Sequence, residues 1–163
     1  MNIITQHKLI FFFGGLFFIS LAMYWFDLIN ANLFLGFIGS IATLYFGALK
    51  LKIENDTFFK ALFISFNDRY GKDLNDLLNV LRSEPEKVLD ISEINKITDY
   101  FNLCAEEFLW YKKGRIPQDV WNAWKAGIVD NLAITSVRNL WLLETSTENK
   151  RASYYGLHVE LNK

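Results

Sequence analysis

The chain opens with two long apolar stretches that contain no charged side chain. Residues 9–26 form the first, of 18 residues, and residues 28–49 form the second, of 22. As α-helices they would reach roughly 27 and 33 Å, about the thickness of a bilayer's hydrocarbon core. A polar segment at residues 27–32, which overlaps the start of the second stretch, marks the turn between the two predicted helices. The pattern therefore predicts a transmembrane helical hairpin, in which every backbone polar group is satisfied inside lipid.

Lysines mark the two ends of this predicted hairpin. Lys8 precedes the first span, Lys50 and Lys52 follow the second, and the connecting loop has neither lysine nor arginine. By the positive-inside rule we expect both termini on the cytoplasmic side, with the lipid bilayer as a partner. Two alternatives are a secretory signal cleaved after residues 20–22 and a buried helical hairpin of a soluble protein.

Small residues recur on one face of the second span. Gly39, Thr43 and Gly47 follow one another at four-residue spacing. Such a face lets two helix backbones approach closely, either against the first span or between several copies of the chain. The sequence leaves both possibilities open, and a homo-oligomer is one expected state. Neither span contains an ionisable residue of the kind that transporters and proton relays need.

Residues 53–163 repeat apolar side chains at the spacing of amphipathic helices. Asp56 is the predicted N-cap of the first of these helices. The apolar stripes of this helix and of a second helix after Gly71 comprise Phe59, Leu62, Phe63, Phe66 and Tyr70, and then Leu74, Leu77, Leu78 and Leu81. A short helical turn is expected at residues 88–91.

The strongest periodicity predicts a helix over residues 92–113, capped by Ser92 and ended by Gly114. Its buried stripe comprises Ile94, Ile97, Phe101, Cys104, Phe108 and Tyr111. Pro117 suits the first position of the next helix, whose apolar face holds Trp121, Trp124, Ile128 and Leu132. A last helix is predicted over residues 136–143.

The predicted fold class is all-α, with a transmembrane hairpin at residues 1–52 and a cytosolic helical domain at residues 53–163. Only the tail departs from helical spacing. Residues 157–161 alternate apolar and polar side chains, which is typical of a short strand or of an extension docked on the core.

Charge and cysteine content narrow the function classes. Residues 53–163 carry 14 basic and 17 acidic side chains, which excludes a strongly basic domain that binds long DNA or RNA. The single cysteine, Cys104, excludes an intramolecular disulfide and a cysteine-built zinc site. No metalloprotease, phosphate-loop or dinucleotide-binding motif is present, so we predict a protein that is not an enzyme and has no metal or cofactor.

Two clusters combine cations with aromatic or polar side chains that suit a compact phosphate-bearing ligand. The predicted ligand-binding residues are Asn67, Arg69, Tyr70 and Lys72 at one helix–helix turn, and Trp110, Lys112, Lys113 and Arg115 at a helix end. The alternative for the second cluster is that Lys112 and Lys113 offset the helix dipole while Trp110 packs in the core.

Several segments resemble a group of small bacterial proteins with two amino-terminal membrane helices and a helical cytoplasmic domain. The resemblance rests on residues 66–70, 74–76, 99–107 and 111–117, together with Val120, Trp121 and Trp124. In layout the chain also resembles the membrane-anchored effector of type III CRISPR systems that cyclic tetra-adenylate activates.

The resemblance implies an antiviral defence effector of the bacterial inner membrane. Its cytosolic domain would bind a cyclic oligoadenylate second messenger, and a symmetric oligomer would present one copy of the binding residues to each nucleotide. Binding would then trigger membrane disruption. The alternative is a membrane-tethered protein-interaction scaffold with no nucleotide ligand.

Overall fold

The protein is all-helical in a computed structural model that describes residues 3–162, and the side chains of residues 7–162. No strand occurs among these residues. The helices, in chain order, are α1 Ile3–Trp25, α2 Ala31–Tyr70, α3 Lys72–Ser83, α4 Ile91–Lys112, α5 Gln118–Leu132, α6 Thr135–Glu144, α7 Glu148–Ser153 and α8 Leu157–Leu161. The prediction of an all-α fold with two long apolar helices at its start is confirmed.

The chain divides into two compact units, residues 1–57 and residues 58–163, which we call the apolar hairpin and the helical unit. Helix α2 runs without interruption past Asp56, so the prediction that Asp56 caps a new helix is wrong. The physical reason is that this segment contains no helix-breaking residue. Residues 50–57 contain neither glycine nor proline, and the helical hydrogen bonds simply continue through them.

The apolar hairpin exposes most of its hydrophobic surface. The most apolar windows of α1 and α2 are only 6% and 0% buried, respectively, and Phe11 and Trp25 are 77% and 80% exposed. Aromatic pairs link the two helices, with ring centroids 5.6 Å apart for Phe13 and Tyr45. A soluble hairpin would bury such helices in a core. Both helices are long and apolar enough to cross a bilayer, so the apolar hairpin is compatible with membrane insertion.

The small-residue face of α2 does not pack against α1. Gly39, Thr43 and Gly47 are all exposed, and a Cβ atom built on either glycine meets nothing within 4 Å. The Thr43 hydroxyl donates its hydrogen bond back to the Gly39 carbonyl, at 2.8 Å. Of the two uses that the sequence left open, packing against the first span is therefore excluded.

Helix α4 is the centre of the helical unit and contacts α3, α5, α6 and α8. Its inward stripe includes Ile97, Phe101, Cys104 and Phe108, none of which is more than 6% exposed. The predicted stripe of α3 is also confirmed, since Leu74, Leu77, Leu78 and Leu81 are all buried. On α5, Trp121 and Ile128 are buried as the spacing predicted.

The two ends of α4 are fixed by local hydrogen bonds. Asp90, rather than the predicted Ser92, is the N-cap, because its carboxylate accepts from the Glu93 N–H while the Glu93 carboxylate accepts from the Asp90 N–H. At the other end Gly114 adopts a φ of 69°, in the left-handed region. The Arg115 N–H then donates to the Trp110 carbonyl, so Gly114 ends the helix as predicted.

Two other segments differ from their predicted structures. Residues 88–91 do not form a separate helical turn; Val88 and Ile91 are 89% and 78% exposed, and of the three apolar side chains Leu89 alone packs partly against the core. The tail forms α7 and α8 instead of a strand. Leu157 and Leu161 lie four residues apart and therefore share one helical face, and Leu157 is 1% exposed. The prediction of a docked extension is correct, and the strand is wrong.

Substitution of Asp90 tests whether this residue is the N-cap of α4. We expect Asp90→Ala to lower the free energy of unfolding of the helical unit by about 1 kcal/mol, because the Glu93 N–H loses the carboxylate that accepts its hydrogen bond. Urea unfolding followed by tryptophan fluorescence measures this loss. The matched control is Ser92→Ala, which should change the value by less than about 0.5 kcal/mol. A larger loss for the control would place the cap at Ser92.

Candidate functional site

The first predicted cluster lies where α2 ends and α3 begins. Gly71 joins the two helices with a φ of 45°, and a Cβ atom at this position would lie 3.2 Å from the Asp68 carbonyl oxygen. Glycine is therefore needed for this sharp corner. The corner brings Arg69 and Lys72, on either side of Gly71, to the edge of one cleft.

This polar cleft has a volume of about 770 Å³. Its charged lining is mixed, with three cations and four carboxylates: Arg69, Lys72 and Lys96, and Asp68, Asp73, Asp99 and Glu106. The aromatic side chains of Tyr70, Tyr100 and Tyr155 also line it. The cleft thus offers donors for phosphate, acceptors for hydroxyl groups and flat apolar surface in one place.

Arg69 is positioned by an ion pair with Glu106 of α4. Both side chains are about two-fifths exposed, at 43% and 42%. An ion pair this exposed contributes little to stability, so its main effect is to hold the guanidinium at the cleft. An arginine has five N–H donors, and a second acceptor can bind while Glu106 remains in place.

Three residues of the second predicted cluster, Trp110, Lys113 and Arg115, lie with Phe58 in a surface that we call the basic–aromatic patch. The Lys113 ammonium lies 4.7 Å from the centre of the Trp110 ring, and the Arg115 guanidinium lies 5.5 Å from the Phe58 ring. Trp110 is half-buried and also packs on the core. Trp110 therefore packs on the core, as the alternative predicted, and its ring also lies close to the Lys113 ammonium.

The structure brings the two clusters only partly together. The Lys112 ammonium donates to the Tyr155 carbonyl at 3.3 Å, which places Lys112 beside the polar cleft that Tyr155 lines. Trp110, Lys113 and Arg115 do not line this cleft. Asn67 lies in a second cavity, and its amide donates to the Phe63 carbonyl at 2.6 Å.

This second cavity has a volume of about 210 Å³ and contains a side chain that the sequence analysis missed. Glu107 lines it with only 9% of its surface exposed. Burial raises the pKa of Glu107 to about 8, against a lowering effect of Arg69 and a further raising effect of Glu106. At neutral pH the carboxyl group is therefore mostly protonated. A signal was present in the sequence, because Glu107 follows the buried Cys104 by three residues on the same helical face.

A buried hydrogen-bond chain forms one side of the same cavity. The Asn131 amide donates to the Tyr100 hydroxyl at 2.9 Å, and its carbonyl oxygen accepts from Arg82 at 2.5 Å. Burial also raises the pKa of Tyr100, so this phenol stays protonated. The chain fixes Asn131 and Tyr100 in place and leaves the adjacent Glu107 carboxyl without a hydrogen bond from the described residues.

Comparisons with known proteins add no family to these observations. No protein-family model, no curated protein and no solved structure matches the chain. Within the described residues, no three acidic, histidine or cysteine side chains are grouped so that they could hold a metal ion.

The raised pKa of Glu107 predicts a specific pH dependence of stability. Between the unfolded value near 4.5 and the folded value of about 8, the folded state keeps a proton that the unfolded state has lost. Raising the pH through this window should therefore lower the free energy of unfolding, by up to about 1.4 kcal/mol per pH unit.

Urea unfolding at several pH values within this window checks the slope. Glu107→Gln cannot ionise and should flatten it, whereas the exposed control Glu86→Gln should leave the wild-type slope unchanged. Equal slopes for Glu107→Gln and the wild type would contradict the assignment.

Proposed function

We propose that the protein is a membrane-anchored, non-enzymatic sensor that binds a cyclic oligoadenylate, cyclic tetra-adenylate, on its helical unit and then disrupts the membrane in antiviral defence. The observation that carries the proposal is the polar cleft, with Arg69, Lys72 and Lys96 around a tyrosine-lined wall. The choice of ligand rests on the resemblance in layout, two amino-terminal membrane helices followed by a helical cytoplasmic domain, to the membrane-anchored effector of type III CRISPR systems.

A nucleotide suits the mixed lining of the polar cleft better than a simple anion does. Its phosphates would bind Arg69, Lys72 and Lys96, because charge-assisted hydrogen bonds to phosphate are the strongest that these side chains form. Its ribose hydroxyl groups would donate to carboxylates such as Asp68 and Asp99. A ligand with phosphate alone would leave those carboxylates facing it and be repelled.

The proposed membrane anchoring and membrane disruption rest on the two apolar helices. With Lys8, Lys50 and Lys52 flanking them, both termini and the helical unit would lie in the cytoplasm of a bacterium, where a second messenger is made. The exposed small-residue face of α2 would pack against other copies of the chain. A ligand with repeated nucleotides would bind several copies together and change how their apolar hairpins assemble.

The topology is tested with spheroplasts that produce the protein with a carboxyl-terminal epitope. Protease added outside should leave the epitope intact and should remove it only after lysis, because the helical unit is inside. A periplasmic marker digested in the same sample is the control. Loss of the epitope from intact spheroplasts, or an intact mass that lacks the first 22 residues, would contradict the topology.

The ligand is tested by calorimetry with the full-length protein in lipid nanodiscs. Cyclic tetra-adenylate should bind, and Arg69→Glu should weaken binding at least about tenfold, because a charged hydrogen bond becomes a repulsion. Lys60→Glu is the control, since Lys60 is exposed on the same helix and lies outside the polar cleft. Arg115→Glu shows whether the basic–aromatic patch also contributes.

Dye release from liposomes that contain the protein tests the effector step. Addition of cyclic tetra-adenylate should increase release from liposomes with the wild type and not from those with Arg69→Glu. No binding at high micromolar concentration would refute the ligand. A stoichiometric protein partner, with no effect of the nucleotide on release, would support the scaffold alternative instead.

A further inference from the structure

The cavity beside Glu107 lies between α2, α4 and α5 and is separate from the polar cleft. Tyr70 and Tyr100 line both spaces and so form the wall between them. We propose that this cavity accepts the adenine ring of a nucleotide, whose hydrogen-bonding edge the Glu107 carboxyl reads. The inference rests on the proposed nucleotide ligand and adds the part of the site that identifies the base.

The size and lining of the cavity fit one flat heteroaromatic ring. At about 210 Å³ it is smaller than the roughly 300–1,000 Å³ of pockets for drug-sized ligands. Phe66, Tyr70 and Trp124 supply aromatic surface for stacking. A Cβ atom built on Gly127 meets nothing within 4 Å, so the space beside α5 is open where a ring would enter.

The protonation state of Glu107 decides which base it reads. A protonated carboxyl group has one donor, its O–H, and one acceptor, its C=O. Adenine presents the complementary pair, since its N1 accepts and its N6 amino group donates. An ionised carboxylate has acceptors only and pairs instead with the N1–H and N2 amino group of guanine. Because the Glu107 carboxyl is mostly protonated at neutral pH, adenine is the matching base.

The groups around Glu107 come from all the packed helices. Arg69 of α2 favours the ionised carboxylate, and Glu106 of α4 opposes it. Cys104 on α4 is fully buried, and burial raises the pKa of its thiol, so it adds no charge. From α5, Asn131 contributes a neutral amide whose carbonyl oxygen is held by Arg82. The carboxyl is thus protonated by burial and not by a hydrogen bond that a ligand would have to break.

The test measures binding of AMP and GMP to the full-length protein in nanodiscs by ligand-observed NMR, at pH values on both sides of 8. AMP should bind at least about tenfold more tightly than GMP below pH 8, and its affinity should fall by up to about tenfold per pH unit above it. Equal affinities for AMP and GMP, or no binding of AMP at millimolar concentration, would overturn the proposal.

Two substitutions of Glu107 separate recognition from folding. Glu107→Gln keeps one donor and one acceptor, so it should retain AMP binding and lose the pH dependence. Glu107→Met has a similar size and neither group, so it should lose at least about tenfold in affinity. Gly127→Leu should block the cavity while Glu107 remains. Circular dichroism shows that each variant is folded, and unchanged AMP binding by Glu107→Met or by Gly127→Leu would overturn the proposal.

Cyclic tetra-adenylate added to the same variants distinguishes this inference from the proposed function. Binding that Arg69→Glu abolishes and Glu107→Met leaves unchanged would refute the adenine pocket and keep the sensor. Binding of AMP that depends on Glu107, without binding of cyclic tetra-adenylate, would keep the pocket and refute the proposed messenger.

Discussion

Burial of α4 among the other helices is the constraint on which the helical unit depends. Four helices pack against it, and its inward side chains are almost fully removed from water. Each large apolar side chain buried there stabilises the fold by about 1.5–3 kcal/mol. Burial of a carboxyl group brings no such stabilisation. Glu107 lies on the same face of α4, where burial favours the protonated, neutral form of its carboxyl group.

Adjacent residues on α4 therefore have opposite electrostatic roles. Glu106 points to the polar cleft and, as an ion-pair partner, holds Arg69 in place. Glu107 is turned about 100° around the helix and enters the neighbouring cavity, where burial favours its neutral form. The result is a charged space and a neutral space on two sides of one tyrosine wall. A nucleotide has the same division, with an ionic backbone and an uncharged base.

The apolar hairpin and the helical unit share one continuous helix, α2. Its first part is apolar on all faces, as a membrane span is, and its last part is amphipathic, with Phe66 buried against the core. A single helix thus belongs to both the lipid-compatible part of the chain and the part that is proposed to bind a ligand. In the proposed sensor, one unbroken helix would therefore connect the membrane-spanning part of the chain to the ligand-binding part, with no loop between them.

The sequence by itself determined the features that depend on local spacing. Charge-free length indicated the two long helices, and three- and four-residue periodicity indicated the stripes of α3, α4 and α5, because helix geometry is set by nearby residues. It also placed the end of α4 at Gly114, where a left-handed residue is needed. Helix boundaries that depend on competition between neighbouring capping residues were less predictable. The N-cap of α4 is accordingly Asp90 and not the predicted Ser92.

Only the tertiary structure decided which distant residues meet. Arg69 and Glu106 are 37 residues apart in the chain, and their pairing follows from how α2 packs on α4. The same packing divided the eight predicted site residues among the polar cleft, the basic–aromatic patch and the Glu107 cavity. It also gave Glu107 its protonated state. Desolvation depends on every helix that surrounds a side chain, and no local pattern of residues contains that information.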